Sequence, residues 1–176
     1  MTEAQVNLGY QTPHEDIMVL ADAPLPPRMR INNDATKAVM MYRRPFKSIN
    51  ELSQTEMRLA GLRINPVTNI SSRATYYFDI KIFDIEKKVE MDVEGLPKDA
   101  SMTNFMWSHD QNKMAFTHTT SEGVELWVLD INKRKVKKLT EAVINANMRD
   151  AINWLKDDSG MPVSYTHLTL PTILLV

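Results

Sequence analysis

A chain of 176 residues, 43% hydrophobic and 24% charged, has room for one ordinary core and is not disordered by composition. Its 21 Lys and Arg against 22 Asp and Glu leave a formal net charge of −1, so no global field favours nucleic acid or an anionic membrane. The absence of cysteine excludes a disulfide framework, a thiol nucleophile and any zinc site with thiolate ligands, and leaves the compartment open.

The first residues, MTEAQVNLGYQTP, have neither a basic start nor an apolar core, so the chain as written carries no secretory signal. No apolar stretch approaches the roughly 20 residues of a membrane-spanning helix. Asp22 to Pro27, DAPLPP, is expected to be an extended linker or edge segment, because proline cannot donate to a ladder. Ser48 to Leu62 has two serine-to-glutamate spacings of the capping-box kind, Ser48 with Glu51 and Ser53 with Glu56, and Gly61 near its end. These predict a helical insertion over about residues 48–62. A second helical stretch is expected from Thr140 to Trp154.

Between these lies an internal repeat. FDIEKKVE from Phe83 resembles LDINKRKVKK from Leu129, and WSHDQNK from Trp107 resembles WLKDDSG from Trp154; an earlier copy, INNDATKAVM from Ile31, aligns Asp34 with Asp110. Each unit reads as short strands joined by polar turns. Val124–Asp130 has the character of a buried strand, and Lys135–Leu139 that of an outer strand protected by lysines. Four short strands in a repeating unit, with a tryptophan near its start, is the pattern of a β-propeller blade. The expected fold class is therefore all-β, an incomplete propeller of about two to three blades with a short helical insertion.

The chemistry-bearing candidates are few. His109-Asp110 is a metal-binding pair in some hydrolases, but Asp110 recurs as Asp34 and Asp157 whereas His109 is replaced by Asn33 and Lys156. A residue type that recurs at the tip of each unit serves the turn, where Asp accepts from backbone N–H groups. The other histidines, His14, His118 and His167, have no ligand spacing. No two of the five glycines are four residues apart, so neither a G-x-S-x-G nucleophile elbow nor a phosphate-cradling loop is present. Lys133 to Lys138, KRKVKK, reads as a solvated turn and edge strand rather than a nucleic-acid contact. No catalytic, cofactor-binding or metal-binding residue is assigned, no cofactor is expected, and neither nucleic acid nor membrane is expected as a partner.

The end of the chain differs from the rest. VSYTHLTLPTILLV, from Val163, has no charged residue, and Val163 to Thr172 back-translates to a transposon end followed by a common sequencing adapter. Residues 1–162 are accordingly read as part of a propeller domain and residues 163–176 as a non-native tail, with the natural reading frame continuing elsewhere.

LADAPLPPRM from Leu20, ELSQTEMRLAGLRINPVTNISSRATYY from Glu51, and MWSHDQNKMAF from Met106 together resemble the N-terminal propeller region of prolyl-oligopeptidase-family serine peptidases, in the glutamyl-endopeptidase-like branch. The most specific part is Arg58 to Arg73. The resemblance implies a propeller that restricts access to a C-terminal α/β-hydrolase domain, so that peptides reach a Ser-Asp-His triad acting by acyl transfer. None of those catalytic residues lies in this chain, which is expected to be inactive alone. The alternative reading is a non-enzymatic propeller module that binds a protein or a small ligand.

Overall fold

The computed structural model describes residues 11–148 and 151–166, together with the backbone of residues 172–175. Strands account for 41% of the described residues and helices for 7%, arranged in antiparallel sheets of which, among the described residues, none is closed.

The chain enters through a short helix, α1 (Glu15–Ala21), which the sequence pattern had not suggested and which Asp22 caps, and passes through residues 23–27, which form neither helix nor strand, into β1 (Arg28–Ile31) and β2 (Lys37–Tyr42). An insertion follows, built of α2 (Ile49–Leu52) and the strands β3 (Met57–Leu59), β4 (Leu62–Asn65) and β5 (Ile70–Ser71), which form a small sheet in the order β3-β4-β5. The chain then returns as β6 (Asp79–Asp84) and β7 (Val89–Asp92), completing a four-stranded sheet in the order β1-β2-β6-β7. The second four-stranded sheet is a plain meander of β8 (Met102–Trp107), β9 (Lys113–Thr119), β10 (Val124–Asp130) and β11 (Lys135–Lys138). Last, β12 (Gly160–Val163) pairs with β13 (Thr172–Leu175).

The insertion is helical only at its start. Ser48 and Glu51 form the expected capping box, in which the Ser48 hydroxyl accepts from Glu51 N–H and the Glu51 carboxylate accepts from Ser48 N–H at 2.8 Å. The rest of the predicted helix, through Leu62, is instead a hairpin. Ala60 and Gly61 both have positive φ, 47° and 86°, the requirement of the primed two-residue turn that closes a twisted ladder between Leu59 and Leu62. Gly61 satisfies a helix end and this turn equally well, and Glu56 spends its carboxylate not on a second cap but on the sheet. It accepts from Arg63 at 2.6 Å, Arg58 at 2.9 Å and the Ser72 hydroxyl at 2.6 Å, which holds its carboxyl down at about 2.

The predicted helix from Thr140 is also absent among its described residues, with Arg149 and Asp150 lying outside them. Ile144 bridges Val124 and Tyr165, and Ala146 bridges Ile70, so this segment is extended and covers the second sheet. Tertiary burial of Ile144, Ala146 and Ile152 outweighs any helical propensity here.

The repeat read from the sequence is a repeat of hydrogen bonds. Asp84 and Asp130 end β6 and β10, accept from the N–H of Lys87 at 3.0 Å and Lys133 at 2.9 Å, and precede left-handed residues Lys88 and Arg134, both at φ 55°. The other repeated turn occurs at residues 32–37, 108–113 and 155–160. In each, the first residue's N–H donates to the last residue's carbonyl, the fourth residue's N–H donates to the first carbonyl, and the fourth residue has positive φ, namely Ala35, Gln111 and Asp158. As expected, Asp110 and Asp157 accept from N–H groups two residues on, Asn112 at 3.0 Å and Ser159 at 3.2 Å. In the first copy that work falls to Asn32 rather than Asp34.

These turns also clasp one another. The Gln111 carbonyl oxygen accepts from Asn33 N–H at 3.1 Å, and the Asp158 carboxylate accepts from His109 N–H at 2.8 Å. In both cases the fourth residue of one turn takes up the N–H of the second residue of the turn before it.

Beneath the turns the sheets stack face to face. Val39, Met41, Ile80 and Ile82 of the first sheet meet Met114, Phe116, Leu129 and Val136 of the second in one buried cluster. The rings of Tyr77, Phe105, Phe116 and Trp127 follow one another through it with centroids 5.6, 5.4 and 6.5 Å apart. The opposite face of the second sheet, carrying Ala115, Val124, Leu126 and Val128, packs on Ile144, Ile152, Trp154, Met161 and Val163. Alternation of side chains along β9 and β10 thus loads both faces of this sheet, which explains why VELWVLD is apolar almost throughout. A bulge in β8, where Asn104 adopts φ 52° and its amide reaches the Thr117 hydroxyl at 3.0 Å, bends the edge strand. Edge strand β11 keeps Lys135 and Lys137 in solvent and buries Val136, as predicted, and residue Glu94 bridges alongside it.

Candidate functional site

The clasped turns occupy one end of the two sheets, where β2 and β9 begin. At the other end, where they finish, a cleft of about 1000 Å³ opens. Four segments far apart in sequence line it: 43–51, which leaves β2 and enters α2; the insertion at Asn65, Val67 and Thr68; residues 97–101 before β8; and residues 118–121, where β9 ends. Its floor includes the half-buried Tyr76, whose phenol burial pushes up in pKa.

The charges of the cleft are unequal. Arg43, Arg44, Lys47 and Lys98 line it against Glu51 and Asp99, four positive groups to two negative in a chain whose formal net charge is −1. Among the described residues the side chains of Arg43, Arg44 and Lys98 make no ion pair or hydrogen bond, whereas Lys47 donates to the Ser72 carbonyl at 3.0 Å. Glu51 is engaged in the α2 capping box. Exposed Phe46, Val67 and Phe78 stand among these cations, and the buried Thr68 hydroxyl lines the same space without a partner. This arrangement offers positive charge and apolar surface to one ligand.

At the rim of the cleft lies a buried polar cluster on the second sheet. His118 faces Glu125 across the β9–β10 ladder, and its Nδ1 accepts from Ser101 N–H at 3.1 Å, so the ring is neutral at that atom. Burial holds the His118 pKa below its ordinary value despite the nearby Glu125 carboxylate. Burial pushes Glu125 up, but Lys138 at 2.8 Å and the Trp127 indole N–H at 2.8 Å overcome it and hold the carboxyl below its usual value. Lys138 thus ties β11 to β10, and the Ser101 N–H ties the segment before β8 to β9.

His109-Asp110 sits at the clasped end, away from the cleft, within the turn at residues 108–113. His109 Nδ1 lies 2.8 Å from Asp158 and Asp110 bonds to Ser108 and Asn112, so the pair is occupied in the turn. Among the described residues no three His, Asp or Glu side chains gather as a metal site would require, and no helix is long and apolar enough to cross a membrane. His167 lies outside the described residues. Sequence reasoning passed over Arg43, Arg44 and Lys98; the run YRRPFK, basic and aromatic together, was the one local signal for them.

No family model matches the sequence. Two curated relatives do. The chain is 27% identical over 165 residues to a protein of Oryza sativa subsp. japonica named "Probable glutamyl endopeptidase, chloroplastic", covering 86% of this chain and 18% of that protein. It is 26% identical over 174 residues to a protein of the same name from Arabidopsis thaliana, covering 92% of this chain and 18% of the relative. The chain therefore spans under a fifth of the length of the relatives it matches. Among solved structures, an acylaminoacyl peptidase of Pyrococcus horikoshii has a TM-score of 0.47 at 16% identity, over 82% of this chain and 18% of its own. Over most of its length this chain is a homologue of proteins named glutamyl endopeptidase, which bears out its resemblance to the glutamyl-endopeptidase-like branch of the prolyl-oligopeptidase-family serine peptidases.

Proposed function

We propose that this chain is part of the β-propeller of a serine peptidase that hydrolyses peptides, and that the propeller controls access to an α/β-hydrolase domain encoded outside these residues. The observation that carries this reading is the match of most of the chain to under a fifth of two relatives named glutamyl endopeptidase. Its support in the fold is the stacking of antiparallel four-stranded sheets through a shared apolar interface, with the same turn repeated from unit to unit.

In this reading the chain contributes no reacting group. The Ser-Asp-His chemistry implied by the family belongs to the hydrolase domain, where a base-activated serine and backbone donors for the oxyanion carry acyl transfer. The sheets act by shape: a rigid stack excludes folded proteins and admits extended peptides. Residues 163–176 are proposed to be a non-native tail occupying the position of a natural strand beside β12. Sequencing the uninterrupted gene tests both points. The account expects the reading frame to depart from this sequence near Pro162 and to carry G-x-S-x-G downstream. A genuine stop after Val176 with no hydrolase following would leave the non-enzymatic binding module as the better reading.

A further inference from the structure

We infer that β3, the outer strand of the insertion, is a self-association edge, on which a second copy of this chain docks by antiparallel strand pairing about a two-fold axis at Met57. This goes beyond the peptidase reading and does not rest on it, because the pairing needs no catalytic domain.

The register of the hairpin decides which backbone groups are free. Leu59 and Leu62 close a two-residue turn and Met57 stands opposite Ile64, so both pairs exchange backbone bonds, and Arg58, opposite Arg63, turns its N–H and C=O away from β4. On the far side of β4 the Arg63 carbonyl accepts from Ser72 N–H at 3.0 Å, the matching outward turn. Among the described residues no strand pairs with the free side of β3. The same register sorts the side chains. Met57, Leu59, Leu62 and Ile64 share one face, while Arg58 and Arg63 share the other with the Glu56 carboxylate that binds them. The apolar face is open: Met57, Leu59 and Leu62 are 48%, 58% and 38% exposed, and none of them lines the cleft.

Charge names the occupant. In an antiparallel pair centred on Met57, Glu56 of each copy stands opposite Arg58 of the other, and these are the positions whose backbone groups point outward, so each pair exchanges two N–H to C=O bonds as well as opposite charges. Arg58 is 73% exposed beside Glu56 of its own chain, which leaves guanidinium donors for a second carboxylate. Met57 meets its own counterpart on the apolar face. A two-fold interface requires such self-complementarity. The edges of the two four-stranded sheets lack it. β1 carries Arg28 and Arg30, β11 carries Lys135, Lys137 and Lys138, and β7 carries Glu90 and Asp92, so each sets like charges against a second copy of itself, and β8 is bulged.

The chain has no cysteine, so a single introduced thiol reports the register. Facing residues of a non-hydrogen-bonded antiparallel pair have Cα atoms about 4.5 Å apart, within reach of a disulfide. Met57→Cys in this 176-residue chain is therefore expected to give a disulfide-linked dimer under mild oxidation, read by non-reducing electrophoresis. Leu59→Cys, on the same exposed face, lies four residues of strand from its counterpart, roughly 13 Å, and should stay unlinked. In sedimentation velocity the unaltered chain should pass from monomer to dimer between about 1 and 100 μM, and Arg58→Glu, which sets carboxylate against carboxylate, should raise the dissociation constant about tenfold or more. Lys135→Glu with Lys137→Glu, on the edge of the other sheet, should leave it unchanged. Far-ultraviolet circular dichroism of each variant checks that the fold is retained. Equal cross-linking of the two cysteine variants, no cross-link through Met57→Cys, or an Arg58→Glu chain that associates like the unaltered one would overturn the inference. A chain that stays monomeric at every concentration would overturn it too, and would leave the apolar face to the further residues that its longer relatives carry.

Discussion

Replacing Asp158 by alanine removes the acceptor that joins the third repeated turn to the second. Its carboxylate, 13% exposed, accepts from His109 N–H and Asp110 N–H at 2.8 Å each and lies 2.8 Å from His109 Nδ1. Hydrogen bonds to a charged group contribute about 1.5–3 kcal/mol each where water is excluded. Here both donor residues are exposed, so water takes up the freed N–H groups and the sum falls to about 2 kcal/mol. For a chain of this size that lowers the midpoint of thermal unfolding by roughly 4–8 °C. His109→Ala keeps both backbone donors and loses only an exposed imidazole contact, so it should cost under about 0.5 kcal/mol. Gln111→Ala, which removes a neutral acceptor at Asn33 N–H and a neutral donor to the Ser108 carbonyl, both at the solvent-facing turn, should fall between them at about 1 kcal/mol. Urea unfolding followed by circular dichroism gives the order. If His109→Ala costs as much as Asp158→Ala, the imidazole rather than the turn backbone carries the contact, and the reading of His109-Asp110 as a turn is wrong.

Three further outcomes are expected. Gly123→Ala places a Cβ 2.6 Å from the Ala142 carbonyl oxygen, a backbone atom that cannot step aside, and should cost about 1–3 kcal/mol in urea unfolding. Phe116→Ala empties the middle of the aromatic series, where the ring is fully buried, and should cost about 3–5 kcal/mol, read from the same unfolding curves. Because burial holds the folded His118 pKa below its unfolded value, near 6.5, the unfolded chain binds the proton first. Stability from this group is complete above that pH and is lost as pH falls below it. His118→Gln should therefore lose less stability than the parent between pH 7.5 and about 5.5 in denaturant titrations, a comparison in which Glu125 and Lys138 are unchanged.

Much of the fold was legible because its repeat is carried by short-range chemistry. A turn that needs Asp as acceptor and a left-handed residue four places on leaves the same mark each time, as at Asp84 with Lys88 and Asp130 with Arg134. The insertion was misread where two structures share one signature: Gly61 at positive φ ends a helix or closes a hairpin, and Ser53 with Glu56 looks like a cap until Arg58, Arg63 and Ser72 come within reach. The segment from Thr140 was misread because its apolar residues answer to the second sheet and not to one another. The cleft was illegible for a different reason. Its cations come from segments as far apart as Arg43 and Lys98, and only the packing of the insertion against the sheet ends brings them together.

The peptidase reading meets its most direct test in the protein encoded by the uninterrupted reading frame, purified and treated with a serine-reactive fluorophosphonate probe. The account predicts covalent labelling at a single serine downstream of these residues, with parallel loss of hydrolysis of short glutamate-containing peptides. A full-length product that neither labels nor cleaves any peptide would contradict it.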